Sequence, residues 1–147
     1  MQELKGNIAL ITGAGGTLGG THARTIASKG SHVIVHDIKE EAVEAVVDKI
    51  RQAGGTASPM VCDITDVSAV RTCVEKITLD HGVISILINN AGITGNNALI
   101  GDIDEDFFDR MFDIHVKGAF FTIQAVISGM KAAGRGRIVN TISGRAH

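Results

Sequence analysis

Neither tyrosine nor tryptophan occurs among the 147 residues, so phenylalanine and histidine supply every aromatic ring. The first absence removes the phenol from any acid/base chemistry these residues perform. Proline occurs once, at Pro59, and there is no Pro/Ser-rich linker, low-complexity tract or abrupt charge shift to divide the chain. One compact domain is expected over residues 1–147. The two cysteines, Cys62 and Cys73, form neither a disulfide framework nor a paired-cysteine metal motif, and both read as reduced packing residues. The net charge is −2 with the two signs mixed. No basic patch is left to attract phosphate backbones or anionic lipid, so neither nucleic acid nor a membrane is an expected partner. No apolar run approaches the roughly 20 residues needed to cross a bilayer, and the N-terminus lacks the pattern of a secretory signal. A cytoplasmic location is expected. The six histidines and the acids show no ligand cluster, so no metal site is expected either.

Glycine is the residue in excess, with 18 copies against a usual share of about 7%. Several of them fall in one place. The apolar run from Asn7 to Ile11 breaks into Thr12-Gly13-Ala14-Gly15-Gly16-Thr17-Leu18-Gly19-Gly20, and Asp37 closes a second apolar run eighteen residues after Gly19. Strand, glycine turn, helix, strand and acid in that order make a βαβ unit. Its helix N-terminus and turn amides suit a pyrophosphate, and its acid is placed for a ribose hydroxyl. A bound dinucleotide is the expectation, although FAD and S-adenosylmethionine use similar turns and Asp37 also reads as a solvated turn acid. Ile38 follows Asp37, and Gly15 and Gly16 bring no basic group to neutralise a 2′-phosphate. NAD is therefore expected over NADP.

The alternation continues. Val33 to Asp37 reads as the second strand and Glu40 to Gln52 as a helix carrying Val43, Val46, Val47 and Ile50 at helical spacing. Thr56 to Cys62 reads as a third strand, followed by a helix with the stripe Val67, Val70, Val74 and Ile77. Val83 to Ile88, nearly all apolar, reads as a central parallel strand buried on both faces. One long helix is predicted over about 104–133, with an apolar stripe of Phe108, Met111, Phe112, His115, Ala119, Ile123, Val126 and Met130. Phe107, Ile114, Phe121 and Ala125 recur on a second face. Two apolar faces imply two neighbours, the sheet and a partner subunit, so a homodimer or homotetramer through this helix is expected. Arg137 to Ile142 reads as a fifth strand whose Ile138, Val139 and Ile142 form an apolar edge.

Three further segments join the glycine turn: Cys62-Asp63-Ile64 after the third strand, Asn89-Asn90-Ala91-Gly92 after the fourth, and Ile138-Val139-Asn140-Thr141-Ile142-Ser143 at the fifth. Together the four resemble the short-chain dehydrogenase/reductases, over essentially all of Lys5 to Ser143. The resemblance implies an α/β fold, a Rossmann-type doubly wound parallel sheet of about five strands with helices on both faces and the family's C-terminal strands missing. It also implies hydride transfer between a nicotinamide and a small-molecule alcohol or ketone. On the family pattern, Gly13, Gly15, Gly16, Thr17, Leu18 and Gly19 meet the pyrophosphate, and Asp37 with Ile38 meets the adenosine ribose. Asp63 and Ile64 lie at the adenine, and Asn90, Ala91 and Gly92 line the second ribose and nicotinamide. Ser143 orients the substrate oxygen, its alternative reading being an ordinary strand-end serine.

The chain departs from that pattern in three places. Thr17 stands where the family has a glycine, which places a Cβ near the phosphate path. His115 stands where the family has an asparagine that helps hold a proton path. A histidine there relays protons, or is a core imidazole satisfied by a backbone group. Finally, the family's Tyr-x-x-x-Lys pair lies on the helix beyond the serine that Ser143 matches, and these residues contain no tyrosine. The alternative function is thus a catalytically inactive NAD-binding or assembly module.

Overall fold

A computed structural model describes residues 3–94 and 99–142. Five strands, β1 (Ile8–Ile11), β2 (His32–Asp37), β3 (Thr56–Val61), β4 (Ile86–Asn89) and β5 (Arg137–Asn140), form one parallel sheet in the order β3-β2-β1-β4-β5. Between them run α1 (Thr17–Ser28), α2 (Glu40–Gln52), α3 (Val67–His81), α4 (Glu105–Phe112) and α5 (Ala119–Ala132), with a 3-10 turn at Ile100–Asp102.

Strand side chains alternate between two cores. Ala9, Ile11, Val33, Val35, Ile86 and Ile88 pack against Ala23 and Ala27 of α1 and Val43, Val47 and Ile50 of α2. Leu10, Ile34, Met60 and Leu87 face the other way, onto Val70, Val74 and Ile77 of α3 and Val126 and Met130 of α5. A strand buried on both sides has to be apolar at every position, which is why β1 and β4 read as continuous hydrophobic runs. Pro59 is accommodated because β3 is an edge strand, where one side of the ladder needs no donor.

The structure revises several expected boundaries. The fourth strand begins at Ile86, opposite Ala9, not at Val83, and extends to Asn89, which pairs with Asn140 of β5. Residue composition alone does not reveal where a neighbour begins to pair. β3 stops at Val61 and β5 at Asn140, each short of the expected end. Of the edge expected on β5, Val139 and Ile142 are exposed, whereas Ile138 packs against the α3/α5 core.

The largest correction concerns the helix expected over 104–133. Asp104 caps α4 by accepting the Phe107 N–H at 2.7 Å, and the chain then passes through a π-helical stretch, Asp113–Gly118, before α5. A π stretch holds an extra residue per turn and rotates the side chains beyond it around the helix axis. The expected stripe is divided accordingly: Val126 and Met130 are buried, but Phe108 and Phe112 remain 53% exposed, as do Val116 and Phe120, on neither expected face, at 55% and 59%. His115 is also exposed, so it is not a core imidazole. Gly118 ends the π stretch against Ile64, whose side-chain carbons lie 3.1 Å from where a Cβ would project.

Candidate functional site

Parallel strands end on the same side, and the segments singled out in the sequence meet at the carboxyl ends of β1, β2, β3 and β4. The glycine turn between β1 and α1 is held mainly by the end of β2. Three successive amides point to it: Gly13 N–H to His36 Nδ1 at 3.4 Å, Ala14 N–H to the His36 carbonyl oxygen at 2.7 Å, and Gly15 N–H to Asp37 Oδ2 at 3.2 Å. Gly16 N–H folds back onto the Gly13 carbonyl at 3.3 Å. Among the described residues, the amides of Thr17, Leu18 and Gly19, the first three of α1, have no protein acceptor. Three aligned free donors at the positive end of a helix form a ready anion site.

Three glycines of the turn are required by this geometry. A Cβ on Gly15 would lie 2.8 Å from Ala42 Cβ and 2.9 Å from Asp37 Oδ2. Gly13 has φ +64°, and a Cβ there would lie 2.8 Å from Ala91 Cα. A Cβ on Gly19 would run into the Gly13 carbonyl oxygen and lie 2.6 Å from Asn90 Nδ2. Gly16 differs, since a Cβ there would meet nothing closer than the Gly13 oxygen at 3.5 Å. Its open side faces outward, next to exposed Thr17 and Leu18. The Thr17 side chain thus lies at the mouth of the turn without disturbing its fold.

β1 is pinned to β4 by a buried hydroxyl. Thr12, 1% exposed, accepts the N–H groups of Asn90 and Ala91 at 2.9 and 3.0 Å through one oxygen. Asn90 reciprocates, its Nδ2 donating to the carbonyls of Thr12 and Gly13 at 3.1 and 3.3 Å. The Asn90 side chain therefore shapes the glycine turn, leaving the backbone of Asn90, Ala91 and Gly92 along the groove. Asp37 also accepts Lys39 N–H through Oδ1 at 3.3 Å, which holds its carboxylate at the turn while Ile38 is 61% exposed.

At the β3 end, Asp63 accepts both the N–H and the hydroxyl of Thr65 at 2.8 Å, fixing the loop whose next residue, Ile64, is buried. The Cys62 carbonyl before it accepts from His36 Nε2 at 3.2 Å. Burial pushes the Cys62 thiol up to about 12, helped by the neighbouring Cys73 thiol, so both cysteines belong to the packing.

The π-helical stretch brings His115 to the opposite wall. His115 Nε2 lies 2.9 Å from the Ile93 carbonyl oxygen and 3.1 Å from the Ile93 nitrogen, donating to the first in one tautomer or accepting from the second in the other. A Cβ on Gly92 would come within 2.5 Å of its ring. His115 is thus a backbone-tied imidazole on the open side of the site. Ser143, the expected substrate-orienting residue, lies outside the described residues, but the strand leading to it is fixed: Asn89 Nδ2 donates to Asn140 Oδ1 at 2.9 Å, and Thr141 N–H donates to the Asn89 carbonyl at 2.9 Å. Among the described residues no group of three or more His, Cys, Asp or Glu is arranged to hold a metal ion.

The sequence pattern of the short chain dehydrogenase family matches residues 7–147. The chain belongs to that family. A sorbitol dehydrogenase of Cereibacter sphaeroides is 37% identical over 142 residues, covering 96% of this chain and 54% of its own length. Among solved structures, an NAD+-bound xylitol dehydrogenase superposes with a TM-score of 0.92 at 38% identity, covering 96% of this chain and 54% of that one. A gluconate 5-dehydrogenase of Burkholderia cenocepacia in complex with NADP and tartrate gives 0.88 at 33%, covering 95% and 54%. The chain spans about half the length of the curated relatives it matches. Solved structures of similar fold are thus found with either nicotinamide dinucleotide. Among the described residues no helix is long and apolar enough to cross a membrane.

Sequence reasoning passed over three residues of this site: Thr12, His36 and Asn140. Each ends or nearly ends a strand and is a polar residue beside an apolar run. His36 and Thr12 are 2% and 1% exposed, and a polar side chain is buried so fully only with partners to satisfy it.

Proposed function

We propose that this chain is the dinucleotide-binding part of an NAD-dependent short-chain dehydrogenase that interconverts a small-molecule alcohol and its ketone or aldehyde. Asp37 is the observation that carries the choice of cofactor. Its carboxylate is tied to Gly15 and Lys39 on either side, suits the two hydroxyls of an unmodified adenosine ribose and repels a 2′-phosphate.

The residues present fit the dinucleotide. The amides of Thr17, Leu18 and Gly19 bind the pyrophosphate, Gly13, Gly15 and Gly16 bring the backbone close to it, and Asp37 and Ile38 flank the ribose. Asp63 and Ile64 border the adenine, and the backbone from Asn90 to Gly92 lines the second ribose and nicotinamide. When bound, the nicotinamide supplies the hydride acceptor for alcohol oxidation, or the donor for the reverse reaction. On the protein side, Ser143 hydrogen-bonds the substrate oxygen and His115, held at Ile93 on the open side of the site, exchanges protons with solvent. The proton on the alcohol oxygen needs a base poised near neutral pH. In this family a tyrosine paired with a lysine provides it, and these 147 residues contain no tyrosine.

Titration of the purified protein with NAD+ and NADP+ tests the reading. NAD+ is expected to bind more tightly, and Asp37→Ser to narrow the gap; tighter NADP+ binding by the wild type would refute it. A second reading, a catalytically inactive binding or assembly module, is favoured by the exposed face of Phe108, Phe112, Val116 and Phe120. NAD+ binding without turnover of any alcohol in the whole protein would select it. Under either reading, that face is the surface through which the protein forms a homodimer or homotetramer.

A further inference from the structure

His36 occupies a position in β2 where the alternation of side chains points it, like Ile34, toward the α3 and α5 side of the sheet. Its neighbours Val33 and Val35 point the other way. The imidazole is 2% exposed and has two partners on two different strand ends. Gly13 N–H donates to Nδ1 at 3.4 Å, and Nε2 lies 3.2 Å from the Cys62 carbonyl oxygen. Both contacts are made only by the neutral ring with its proton on Nε2, since Nδ1 then offers a lone pair and Nε2 a donor.

The two strand ends joined in this way are those that flank the dinucleotide groove. Gly13 opens the glycine turn, three residues before the outward-facing Gly16. Cys62 immediately precedes Asp63, whose Asx turn shapes the loop after β3. The imidazole is thus a crosspiece beneath the groove, joining its phosphate wall to its adenine wall. We propose that His36 is a positioning residue for the dinucleotide: its neutral Nε2–H ring holds the glycine turn in the binding geometry, and protonation of Nδ1 releases Gly13 and weakens cofactor binding.

A protonated Nδ1 carries a hydrogen that opposes the Gly13 N–H directly. One donor has to move, and the smaller movement open to a buried ring is to displace the turn. The charged groups that bear on His36 are the carboxylates of Asp37 on its own strand and Asp63 beyond β3; both favour the cation, and burial outweighs them to keep the ring neutral below its ordinary range. β1 brings only Ile11, Thr12 and Gly13 to this end, and α3 brings the Cys73 thiol against Cys62. The switch therefore operates on the acid side of neutrality.

The inference rests on the dinucleotide reading above, and the experiment separates the two. NAD+ affinity is measured from pH 8 to pH 5 for the wild type, His36→Asn and His36→Leu, with circular dichroism to confirm folding at each pH. Asparagine places an oxygen near the Nδ1 position and does not titrate; leucine offers Gly13 no acceptor. The wild-type Kd is expected to rise about tenfold for each pH unit below the His36 titration point. His36→Asn should hold near the wild-type pH 8 value with that rise removed, and His36→Leu should bind weakly throughout. Nitrogen-15 spectra of the histidine rings give a readout independent of cofactor: the neutral Nε2–H tautomer is expected, with the Gly13 amide shifting on the same titration. A wild-type profile shared by His36→Asn, an Nδ1–H tautomer, or a Gly13 amide indifferent to the His36 titration would each overturn the assignment. A wild type that binds no NAD+ at pH 8 would overturn the dinucleotide reading and, with it, the effect on affinity.

Discussion

Thr12 is where one atom holds two strands in register, and Thr12→Val isolates that atom because the two side chains have nearly the same shape. The substitution removes the hydroxyl oxygen of a residue that is 1% exposed, an oxygen that accepts two backbone N–H groups, those of Asn90 and Ala91. Each donor left unsatisfied in a buried setting costs about 1–3 kcal/mol. Both amides are only partly buried, and water reaches them more readily than a fully enclosed donor, so a total of roughly 2–4 kcal/mol is expected. For a domain of this size each kcal/mol corresponds to roughly 2–4 °C in Tm, hence a fall on the order of 5–15 °C. Urea unfolding followed by circular dichroism measures it, with the midpoint moving and the slope unchanged. Thr12→Ser is the control, keeping the oxygen and losing a methyl worth about 1 kcal/mol. Were Thr12→Val to lose less than about 0.5 kcal/mol, within the range of surface substitutions, or Thr12→Ser to lose as much as Thr12→Val, the hydroxyl would not be the pin between β1 and β4.

The glycine turn separates stability from binding. Gly19→Ala drives a Cβ into the Gly13 carbonyl and Asn90 Nδ2 and should cost about 1–3 kcal/mol of stability, as overpacking does, with NAD+ binding lost as well; Gly16→Ala, with its nearest contact at 3.5 Å, should unfold like the wild type in urea yet bind NAD+ more weakly in calorimetry. On the exposed face, Phe112→Lys should convert the proposed homo-oligomer to a smaller species by light scattering, while far-ultraviolet circular dichroism stays unchanged. For pH, His36 and His32 are both held below their ordinary value of 6.5, His36 by burial and His32 by burial with the nearby His81 and Arg51. The unfolded chain therefore binds more protons than the folded one below that value, and stability has to fall as pH drops through 6.5 toward the folded values. A urea midpoint that is level or rises from pH 7.5 to pH 5.5 would refute the assignment of buried neutral rings.

How far the sequence revealed this molecule depended on the range of the interactions involved. The βαβ unit was legible because its determinants are local: an apolar run, a glycine turn, and an acid at the end of the next run. The apolar faces of α2 and α3 were legible for the same reason, since period alone places Val43 and Val47, or Val70 and Val74, on one side. The π-helical stretch at Asp113–Gly118 was not legible. A helix with one extra residue keeps nearly the same apolar count, and what distinguishes it here is tertiary: Gly118 seated against Ile64, and His115 held at Ile93. The start of β4 was misplaced similarly, because Val83 and Ile84 are as apolar as Ile86 and Leu87 but only the latter lie opposite β1. Within the site, residues that motifs name were found together at the strand ends, whereas Thr12 and His36 were missed because their partners are 78 and 26 residues away and a buried hydroxyl or imidazole signals only that partners exist.

The hydrogen bonds of the glycine turn narrow what such a turn can do. A turn rich in glycine is usually credited as a whole with cradling phosphate, yet here Gly13, Ala14 and Gly15 direct their amides to His36 and Asp37, and Gly16 closes the turn on itself. These four amides build the turn, and the free donors begin only at Thr17. On the proposed reading Asp37 has two tasks at once, since the carboxylate assigned to the ribose also anchors Gly15. Any substitution intended to admit a 2′-phosphate at this position removes an anchor of the phosphate site as well. Losing a hydrogen bond to a charged group costs about 1.5–3 kcal/mol when buried and less at this half-open position. Asp37→Ser should therefore lose NAD+ affinity faster than it gains NADP+, and a second substitution that supplies positive charge at Ile38 is needed before the preference can reverse.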